Sequence, residues 1–521
     1  VGGYKNQLFS TLTCIGGGSG NTITSASTDS LIVGGKNNLI SGATCSATLG
    51  GSTNKNLGAD YSLMGGGRDN VIHKDSDYTL IGGGRQNKIV GTTSDYASIV
   101  GGYLNVLTSS TYTNIVGGVQ NIIHNTSFGS IVTGYLNKIY DADYSIIGGG
   151  DNNRIEDNGY NGGFIGGGQE HIITGSTHTG VVSGKNNRIL GGSNYSIVGG
   201  GATNLIDGTT TFASIGSGEL NHITAASNYS AIVNGYNNTI SLGSQYGFIG
   251  AGSKNTVDTA DWSIVVGGGN NSVLSNSDYS TVVGGSGNTI SQSLYAIIGG
   301  GVLNRTLNAS YSRIGGGDHN RITTTSTYSL IGGGQRNYIV ETSQNSNVVG
   351  GDSNTLSASS YSSLVGGYEN TIQTARNSVM GGGAGNKIIN TLSNILGGGQ
   401  NNLIAGAIGN GWNVLVGGRH NILGKDGDAT TSYTFMGGGL YNKITGSSYS
   451  NLVAGYTNLI TDSFYAHLGG GAYNQITAST YGIIVGGKYN NVFQSNHSGI
   501  VGGEQNLHDY SVLGHIGEIP L

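Results

Sequence analysis

The sequence predicts an all-β protein, a parallel β-solenoid, and three observations carry this prediction. Glycine accounts for 99 of the 521 residues and proline for only one. One unit centred on an asparagine recurs in 31 registers, most of them 16 or 17 residues apart. Small and apolar residues in the unit alternate with a period of two, which is the period of a strand and not of a helix. A unit this short cannot bury a face alone, so the coils must stack.

The asparagine defines position zero of every coil, and only His171 replaces it. An amide side chain that recurs in each coil can hydrogen-bond to the coils above and below it. We therefore expect a buried asparagine ladder along the stack. Six consecutive members of this ladder are Asn70, Asn87, Asn105, Asn121, Asn137 and Asn153.

Glycine occupies the third position before the asparagine in all 31 registers. This suits a turn with positive φ, or a backbone approached too closely for a Cβ. The turn glycines of the same six coils are Gly67, Gly84, Gly102, Gly118, Gly134 and Gly150. Period-two alternation places positions minus eight, minus six, minus four, zero and plus two on one face, with aliphatic residues at minus six and plus two.

An aromatic residue occupies the ninth position before the asparagine in about two-thirds of the coils, and both tryptophans, Trp262 and Trp412, lie there. Stacked coils would bring these rings together in a second ladder along one edge. The six coils above contribute Tyr61, Tyr78, Tyr96, Tyr112, Phe128 and Tyr144.

The fifth position before the asparagine is Gly or Val, apart from Leu49. Because this position faces away from the core, an exposed strand face should often carry polar residues there. We therefore expect the face to be buried against other copies of the chain. Cyclic symmetry is the usual solution for such packing, and we expect a side-by-side homotrimer with the minus-five rows near its axis.

The repeat predicts a continuous solenoid domain over residues 1–506, with longer coils and loop insertions near 404–433. Residues 507–521 are expected to form a C-terminal cap or transition segment, in which 510–514 has the pattern of a last strand. About 30 coils at roughly 4.8 Å each would make a rod about 145 Å long.

Units such as Tyr144-Ser145-Ile146-Ile147-Gly148-Gly149-Gly150 resemble the Ser-x-Ala-Ile-Gly units of trimeric autotransporter adhesin heads. They are still more similar to the tyrosine-rich, triple-glycine variants of bacterial surface and viral fibre proteins. The resemblance covers about residues 1–506 and implies a trimeric left-handed β-roll used for display and attachment. The present coils are longer than those of the adhesin heads and carry Ile at plus two.

The motifs indicate no active site, no cofactor and no metal site, and we expect that the protein is not an enzyme. The weak metal candidates are Asp60, Asp77 and Asp95, which precede the aromatic residue in three successive coils. Stacked carboxylates repel one another, so a divalent cation could bridge them. The alternative is that aspartate suits a polar turn before a strand and stays solvated. Cys14 and Cys45 lie about two coils apart on different rows, which favours free or interchain thiols.

The formal net charge is −5 and no basic run accompanies it, which argues against nucleic acid as a partner. No membrane insertion by this segment is expected. The expected partners are further copies of the chain and a glycan or host-surface receptor. The sequence thus favours a rigid extracellular fibre or adhesin shaft on a cell surface, a virion or an extracellular filament. The alternatives are an ice-binding solenoid and a carbohydrate-binding or carbohydrate-degrading tailspike-like protein.

Overall fold

The computed structural model describes residues 2–160, 162–407, 411–509 and 514–516, without the side chains of 158–160 and 514–516. The chain divides into two compact units, Val1–Trp262 and Ser263–Leu521. Both are parallel β-solenoids, and together they contain about 31 turns. The described residues form 62 short strands and no helix, which confirms the predicted all-β solenoid class.

Each coil contributes one strand to each of two sheets. Sheet I contains the strands that directly follow the ladder asparagine. In the first unit these are Gln7–Leu8, Thr22–Ile23, Leu39–Ile40, Lys55–Leu57, Val71–His73, Lys88–Val90, Val106–Thr108, Ile122–His124, Lys138–Asp143, Arg154–Tyr160, Ile172–Thr174, Arg188–Leu190, Leu205–Ile206, His222–Ile223, Thr239–Ser241 and Thr256–Asp258. In the second unit they are Ser272–Leu274, Thr289–Ser291, Arg305–Leu307, Arg321–Thr323, Tyr338–Val340, Thr355–Ser357, Thr371–Gln373, Lys387–Ile389, Leu403–Ala405, Ile422–Leu423, Lys443–Thr445, Leu459–Thr461, Gln475–Thr477, Asn491–Phe493 and Leu507–Asp509.

Sheet II contains the strands that precede the glycine turn. In the first unit these are Cys14–Ile15, Leu31–Ile32, Ala47–Thr48, Leu63–Met64, Leu80–Ile81, Ser98–Ile99, Asn114–Ile115, Ser130–Ile131, Ile146–Ile147, Phe164–Ile165, Gly180–Val181, Ile197–Val198, Ser214–Ile215, Ala231–Ile232 and Phe248–Ile249. In the second unit they are Ile264–Val265, Thr281–Val282, Ile297–Ile298, Arg313–Ile314, Leu330–Ile331, Asn347–Val348, Ser363–Leu364, Val379–Met380, Ile395–Leu396, Val414–Leu415, Phe435–Met436, Asn451–Leu452, His467–Leu468, Ile483–Ile484, Ser498–Ile500 and Gly514–Ile516.

Within each sheet, a strand pairs in parallel with the equivalent strand of the next coil, and equivalent positions are in register. Ile123 pairs with Ile139 in sheet I, and Ile131 pairs with Ile147 in sheet II. All four side chains are fully buried. The core is therefore a narrow column between the sheets, filled by one aliphatic residue from nearly every strand, as the minus-six and plus-two positions predict. Thr48, Asn56 and Thr306 are buried polar exceptions.

Residues with left-handed backbone conformation bend each coil around this column. In the coil that begins at Gly134, they are Gly134 (φ 108), Leu136 (φ 56), Asp141 (φ 50) and Tyr144 (φ 58). The first two flank the turn between sheet II and sheet I, and the last two close the coil back to sheet II. Only glycine adopts this conformation without a steric penalty, so packing between coils must hold the other residues there.

The strand alternation does not extend to position minus four, and the prediction that this position lies on the inward face is wrong. Thr133 and Asn234 occupy it and are exposed. The backbone turns at the following glycine, which ends the extended segment and rotates minus four away from the column. Only the carbonyl oxygen of the residue at minus four points inward, where it accepts a hydrogen bond from the ladder asparagine.

The insertion and the C-terminus preserve the pairing of the described strands. Leu403–Ala405 and Ile422–Leu423 pair in parallel across the first long coil. Beyond the last ladder asparagine, Leu507–Asp509 and Gly514–Ile516 pair with the preceding coil. Most of the last strand predicted at 510–514 lies outside the described residues, and the strand seen there begins at Gly514.

Candidate functional site

The asparagine ladder is the most regular polar feature of both units. Asn137 is fully buried, and its Nδ2 donates to the carbonyl oxygens of Thr133 (3.1 Å) and Gly150 (3.0 Å). Its Oδ1 accepts the backbone N–H of Asn153 at 3.0 Å. Each amide thus closes its own glycine turn and fixes the turn of the next coil. The other ladder members named above make the same bonds, Asn70, Asn87, Asn105, Asn121 and Asn153.

The turn glycines lie where two coils approach most closely. Gly84 has φ +86, and a Cβ there would overlap the carbonyl oxygen of Gly102 and come within 2.6 Å of Asn87 Nδ2. A Cβ added at the neighbouring Gly83 would have no other atom within 4 Å. In this coil both reasons offered for the invariant glycine, positive φ and close approach, therefore apply at minus three and not at minus four. The other five, Gly67, Gly102, Gly118, Gly134 and Gly150, have the same environment.

Two buried hydroxyl ladders accompany the amide ladder. Ser346, at minus eight, donates from Oγ to the carbonyl oxygen of Ser359 (2.7 Å) and accepts the N–H of Ser362 (3.2 Å). Ser343, at minus eleven, accepts the N–H of Ser359 at 3.0 Å. The alternation predicts the minus-eight row, whereas the minus-eleven row was missed because a left-handed bend separates it from the strand. The signal that could have found it is the recurrence of Ser, Thr or Ala two residues before the aromatic position.

The aromatic ladder forms as predicted, with rings that lie parallel and face to face. Successive ring centroids from Tyr61 to Tyr112 are 4.7 to 5.0 Å apart with interplanar angles of 1° to 5°. The stack continues through Phe128 to Tyr144. Partial desolvation and the neighbouring phenols of Tyr112 and Tyr78 raise the pKa of Tyr96. The ring spacing equals the strand spacing, so the ladder follows from the stacking of coils.

The three aspartate candidates lie in one row, and their carboxylates bond to backbone. Asp60 Oδ1 accepts the N–H of Thr44 at 2.6 Å. Asp77 Oδ1 and Asp95 Oδ1 accept the N–H of the aspartate one coil earlier, each at 2.8 Å. Each carboxylate therefore links its own coil to the preceding one through a backbone N–H. In the part of the chain that the structure describes, no group of three or more His, Cys, Asp or Glu could hold a metal ion.

Asp141 and Asp143 line a polar cleft of about 420 Å³ with Asn125 and Ser127. Asp143 Oδ1 accepts the N–H of Ser127 at 2.7 Å, and Asp141 Oδ1 accepts from Asn125 Nδ2 at 2.5 Å. Both carboxylates therefore link neighbouring coils, in the same manner as the aspartate row.

Asp428 organises an inserted loop in the longer coils near 404–433. Its Oδ1 accepts from the N–H and Oγ1 of Thr430, at 2.9 and 2.7 Å, and its Oδ2 accepts from the N–H of Gly446 at 2.9 Å. Burial would raise the pKa of this carboxyl group, but the hydrogen bonds from Thr431, Thr430 and Gly446 outweigh it and lower the pKa to about 2. The carboxylate ties the inserted loop to the following coil.

His171 takes the place of the ladder asparagine and is fully buried. Its Nδ1 accepts the N–H of Asn187 at 3.1 Å, in the role of the amide oxygen. Its Nε2 faces the carbonyl oxygens of Gly167 and Gly184 but makes no hydrogen bond. Burial lowers the pKa of His171, against a smaller opposing effect of the surrounding backbone. The ring therefore fits the ladder only in its neutral form.

His171→Asn is expected to stabilise the first unit by about 1–2 kcal/mol, because the amide supplies two donors where the ring leaves one unsatisfied. It should also remove an acid-sensitive step. In the unfolded chain His171 binds a proton below about pH 6.5, whereas in the folded chain it stays neutral. Protonation therefore favours the unfolded chain, and the free energy of unfolding of the wild type falls as the pH drops below that value. Thermal unfolding between pH 5 and 8 measures both effects. His73→Asn, at an exposed position, is the control, and it should leave the fall in melting temperature between pH 8 and pH 5 unchanged.

The outward faces of the two sheets differ in charge. On sheet I, the position after the asparagine carries Lys or Arg in nine coils, for example Lys88, Lys138 and Arg154. On sheet II, position minus five carries no charge and position minus seven carries only Arg313. The described minus-five valines are 38% to 54% exposed in the single chain. Sheet II thus presents an uncharged band of Val and Gly, bordered by the aromatic ladder.

Cys14 and Cys45 form no disulfide within the chain, and both are exposed. Cys14 lies at minus seven on the outward face of sheet II, and Cys45 takes an aromatic-ladder position. No helix among the described residues has the length and apolar character needed to cross a membrane. Protein-family models give no match to the chain, and a search of curated proteins gives none either.

Proposed function

We propose that this chain is the shaft of a rigid extracellular fibre, in which three copies pack side by side through the outward faces of sheet II. Its role is structural support, attachment, or both, on a cell or virion surface or in an extracellular filament. No catalytic step is part of this proposal. The single observation that carries it is the contrast between the uncharged minus-five row on the face of sheet II and the charged outward face of sheet I.

Stiffness is supported by the number of independent ladders that link each coil to the next. Backbone pairing, buried amides, two rows of hydroxyls and stacked rings all connect neighbouring coils within a unit. In a repeat array, stability is the sum of such nearest-neighbour interfaces. A shaft needs this property, because a local opening must break several kinds of bond at once.

Self-association is supported by the apolar band on sheet II. Large contiguous apolar patches on a soluble protein mark interaction sites, and valine and glycine allow two sheets to approach closely. A second copy of the chain presents the same uncharged band, so the surface is complementary to itself. Cyclic symmetry closes such an assembly, and three copies agree with the adhesin-head resemblance.

Two valine-to-lysine variants test this proposal as a matched pair. Val116, at minus five on sheet II, is 40% exposed, whereas Val106 lies on sheet I in register with Lys88. Val116→Lys should dissociate the assembly, because it buries unpaired ammonium groups at about 3 kcal/mol or more each. Val106→Lys should leave it intact. Sedimentation equilibrium should give three times the chain mass of 53.0 kDa for the wild type and Val106→Lys, and one chain mass for Val116→Lys. A wild-type protein that sediments as a monomer contradicts the proposal.

A further inference from the structure

One charged residue interrupts the outward face of sheet II in the second unit. Arg313 lies at minus seven, in register with Ile297 of the coil before it and with Leu330 of the coil after it. It is exposed in the single chain. The proposed packing of copies through sheet II encloses this guanidinium, and an enclosed charge is costly unless an opposite charge accompanies it.

No opposite charge is supplied by the sheet II face. Among the ion pairs of the described residues, none includes Arg313. The acidic residue closest to it in the sequence, Asp318, already pairs with His319 Nδ1 at 2.6 Å and accepts from Gln335 Nε2 at 3.1 Å. No coil carries an acidic residue at minus five or minus seven, so the same face of a second copy brings none either.

The coils around Arg313 leave a recess in the outward face at position minus five. Gly299, Gly315 and Gly332 occupy this position in three successive coils, the longest run of glycine in the row. A Cβ at each would lie 2.3 Å from the carbonyl oxygen of the next coil, so the backbone itself excludes a side chain there. The flanking coils carry Val283 and Val349, which are 46% and 54% exposed. A valine thus closes the recess at each end.

Residue size at minus seven compensates for residue size at minus five. Where minus five is glycine, the residue at minus seven is larger than serine or cysteine in 13 of 15 coils. Where minus five is valine or leucine, the residue at minus seven is Gly, Ala, Ser, Thr or Asn in 11 of 15 complete coils. Such compensation is typical of two rows that share one packed volume. It indicates that minus seven packs in the same interface as minus five.

The side chain of Arg313 is long enough to cross the recess. Positions minus seven and minus five point to the same side of the strand and lie about 6.7 Å apart, a distance that an extended arginine side chain spans. With the minus-five rows near the axis, three copies bring three guanidinium groups to one height over Gly315. Ile297 and Leu330 flank them with apolar side chains. Three like charges in such a setting repel one another unless an anion lies among them.

We propose that the three Arg313 side chains of the assembly hold one tetrahedral oxyanion, sulfate or phosphate, on the threefold axis. A guanidinium group matches an oxyanion in shape and donates two parallel hydrogen bonds to it. A tetrahedral ion viewed along one of its bonds presents three equivalent oxygens, one for each copy. The site rests on the proposed three-copy packing and is incomplete in a single chain, so binding of the ion favours the trimer.

Equilibrium dialysis of the full chain against radiolabelled sulfate tests this site, with sedimentation equilibrium measured on the same samples. The wild type should sediment as a trimer and saturate at one sulfate per three chains. Arg313→Leu should remain a trimer, because leucine occupies the same row in the next coil, and it should bind no sulfate. Arg321→Leu is the matched control, since it removes the same charge from an exposed position on sheet I, and it should bind sulfate as the wild type does.

The two measurements separate the anion site from the packing on which it rests. A wild-type trimer that binds no sulfate, or sulfate binding that persists in Arg313→Leu, overturns the anion site and leaves the packing intact. A wild-type protein that sediments as a monomer contradicts the packing and the site together. Saturation at one ion per chain, or an equal loss of binding in Arg321→Leu, places the ion elsewhere and also overturns the proposal.

Discussion

Gly84→Ala is expected to destabilise the first unit by about 3 kcal/mol or more. Alanine at φ +86 carries the left-handed penalty of about 1–2 kcal/mol. Its Cβ would also overlap the carbonyl oxygen of Gly102, which is backbone of the next coil and cannot rotate away. Relief requires the two coils to separate, and separation stretches the ladder bonds of Asn87. Hydrogen exchange at the amides of these two coils, together with the melting temperature, measures the loss.

Gly83→Ala is the matched control, one residue away in the same turn. Gly83 has no positive φ, and a Cβ there meets nothing within 4 Å. Gly83→Ala should change the free energy of unfolding by no more than about 0.5 kcal/mol. The alanine meets no steric conflict in the folded chain, and it also restricts the unfolded chain, which favours folding slightly. Equal losses in the two variants would show that the close approach at minus three does not limit stability.

Asn153→Ala is expected to cost about 3–5 kcal/mol, since it leaves two backbone groups without a partner and removes one of the two hydrogen bonds to a third. The carbonyl oxygens of Gly149 and Gly168 lose the amide donors at 2.9 and 3.0 Å. The N–H of His171 loses its acceptor at 3.0 Å. Water cannot replace these bonds without opening the stack, so the whole desolvation cost remains. This loss of stability can be measured as the free energy of unfolding in urea and as the rate of amide hydrogen exchange in the coils next to Asn153.

Asn152→Ala removes an amide of the same size from the adjacent, exposed position. Asparagine there adopts φ 54°, and alanine should cost about 1 kcal/mol for the left-handed conformation alone. The difference between the two variants isolates the buried ladder from the backbone preference. A loss in Asn153→Ala no larger than that in Asn152→Ala would mean that the amide ladder contributes nothing to stability.

Sequence periodicity was sufficient to predict the stacked architecture. Ile147, Asn153 and Ile155 recur at fixed offsets, and all three are fully buried. The alternation failed where the backbone stops being extended, at the exposed minus-four position of Thr133 and at the buried minus-eleven row. Left-handed bends do not follow the strand period, so a strand pattern cannot carry a side-chain direction across them.

The orientation of aromatic rings shows a different limit of sequence reasoning. Tyr441 and Tyr473 lie one residue before a ladder asparagine, and Tyr456 lies two residues before one. In the structure the ring of Tyr456 is nearly perpendicular to the other two, at 79° and 84°. The sequence supplies the rows of aromatic residues, whereas the structure supplies the angles between them.

Carbene footprinting of the assembled protein tests the proposed packing most directly, by comparing labelling of the two outward faces. In the single chain, Val100, Val116 and Val132 of sheet II are 49%, 40% and 42% exposed, whereas Val106 and Ile122 of sheet I are half-buried. A free chain would therefore label more strongly on sheet II. Packing through sheet II predicts the reverse order, with the three minus-five valines protected and the sheet I residues labelled. Stronger labelling of Val100, Val116 and Val132 in the native protein would contradict it.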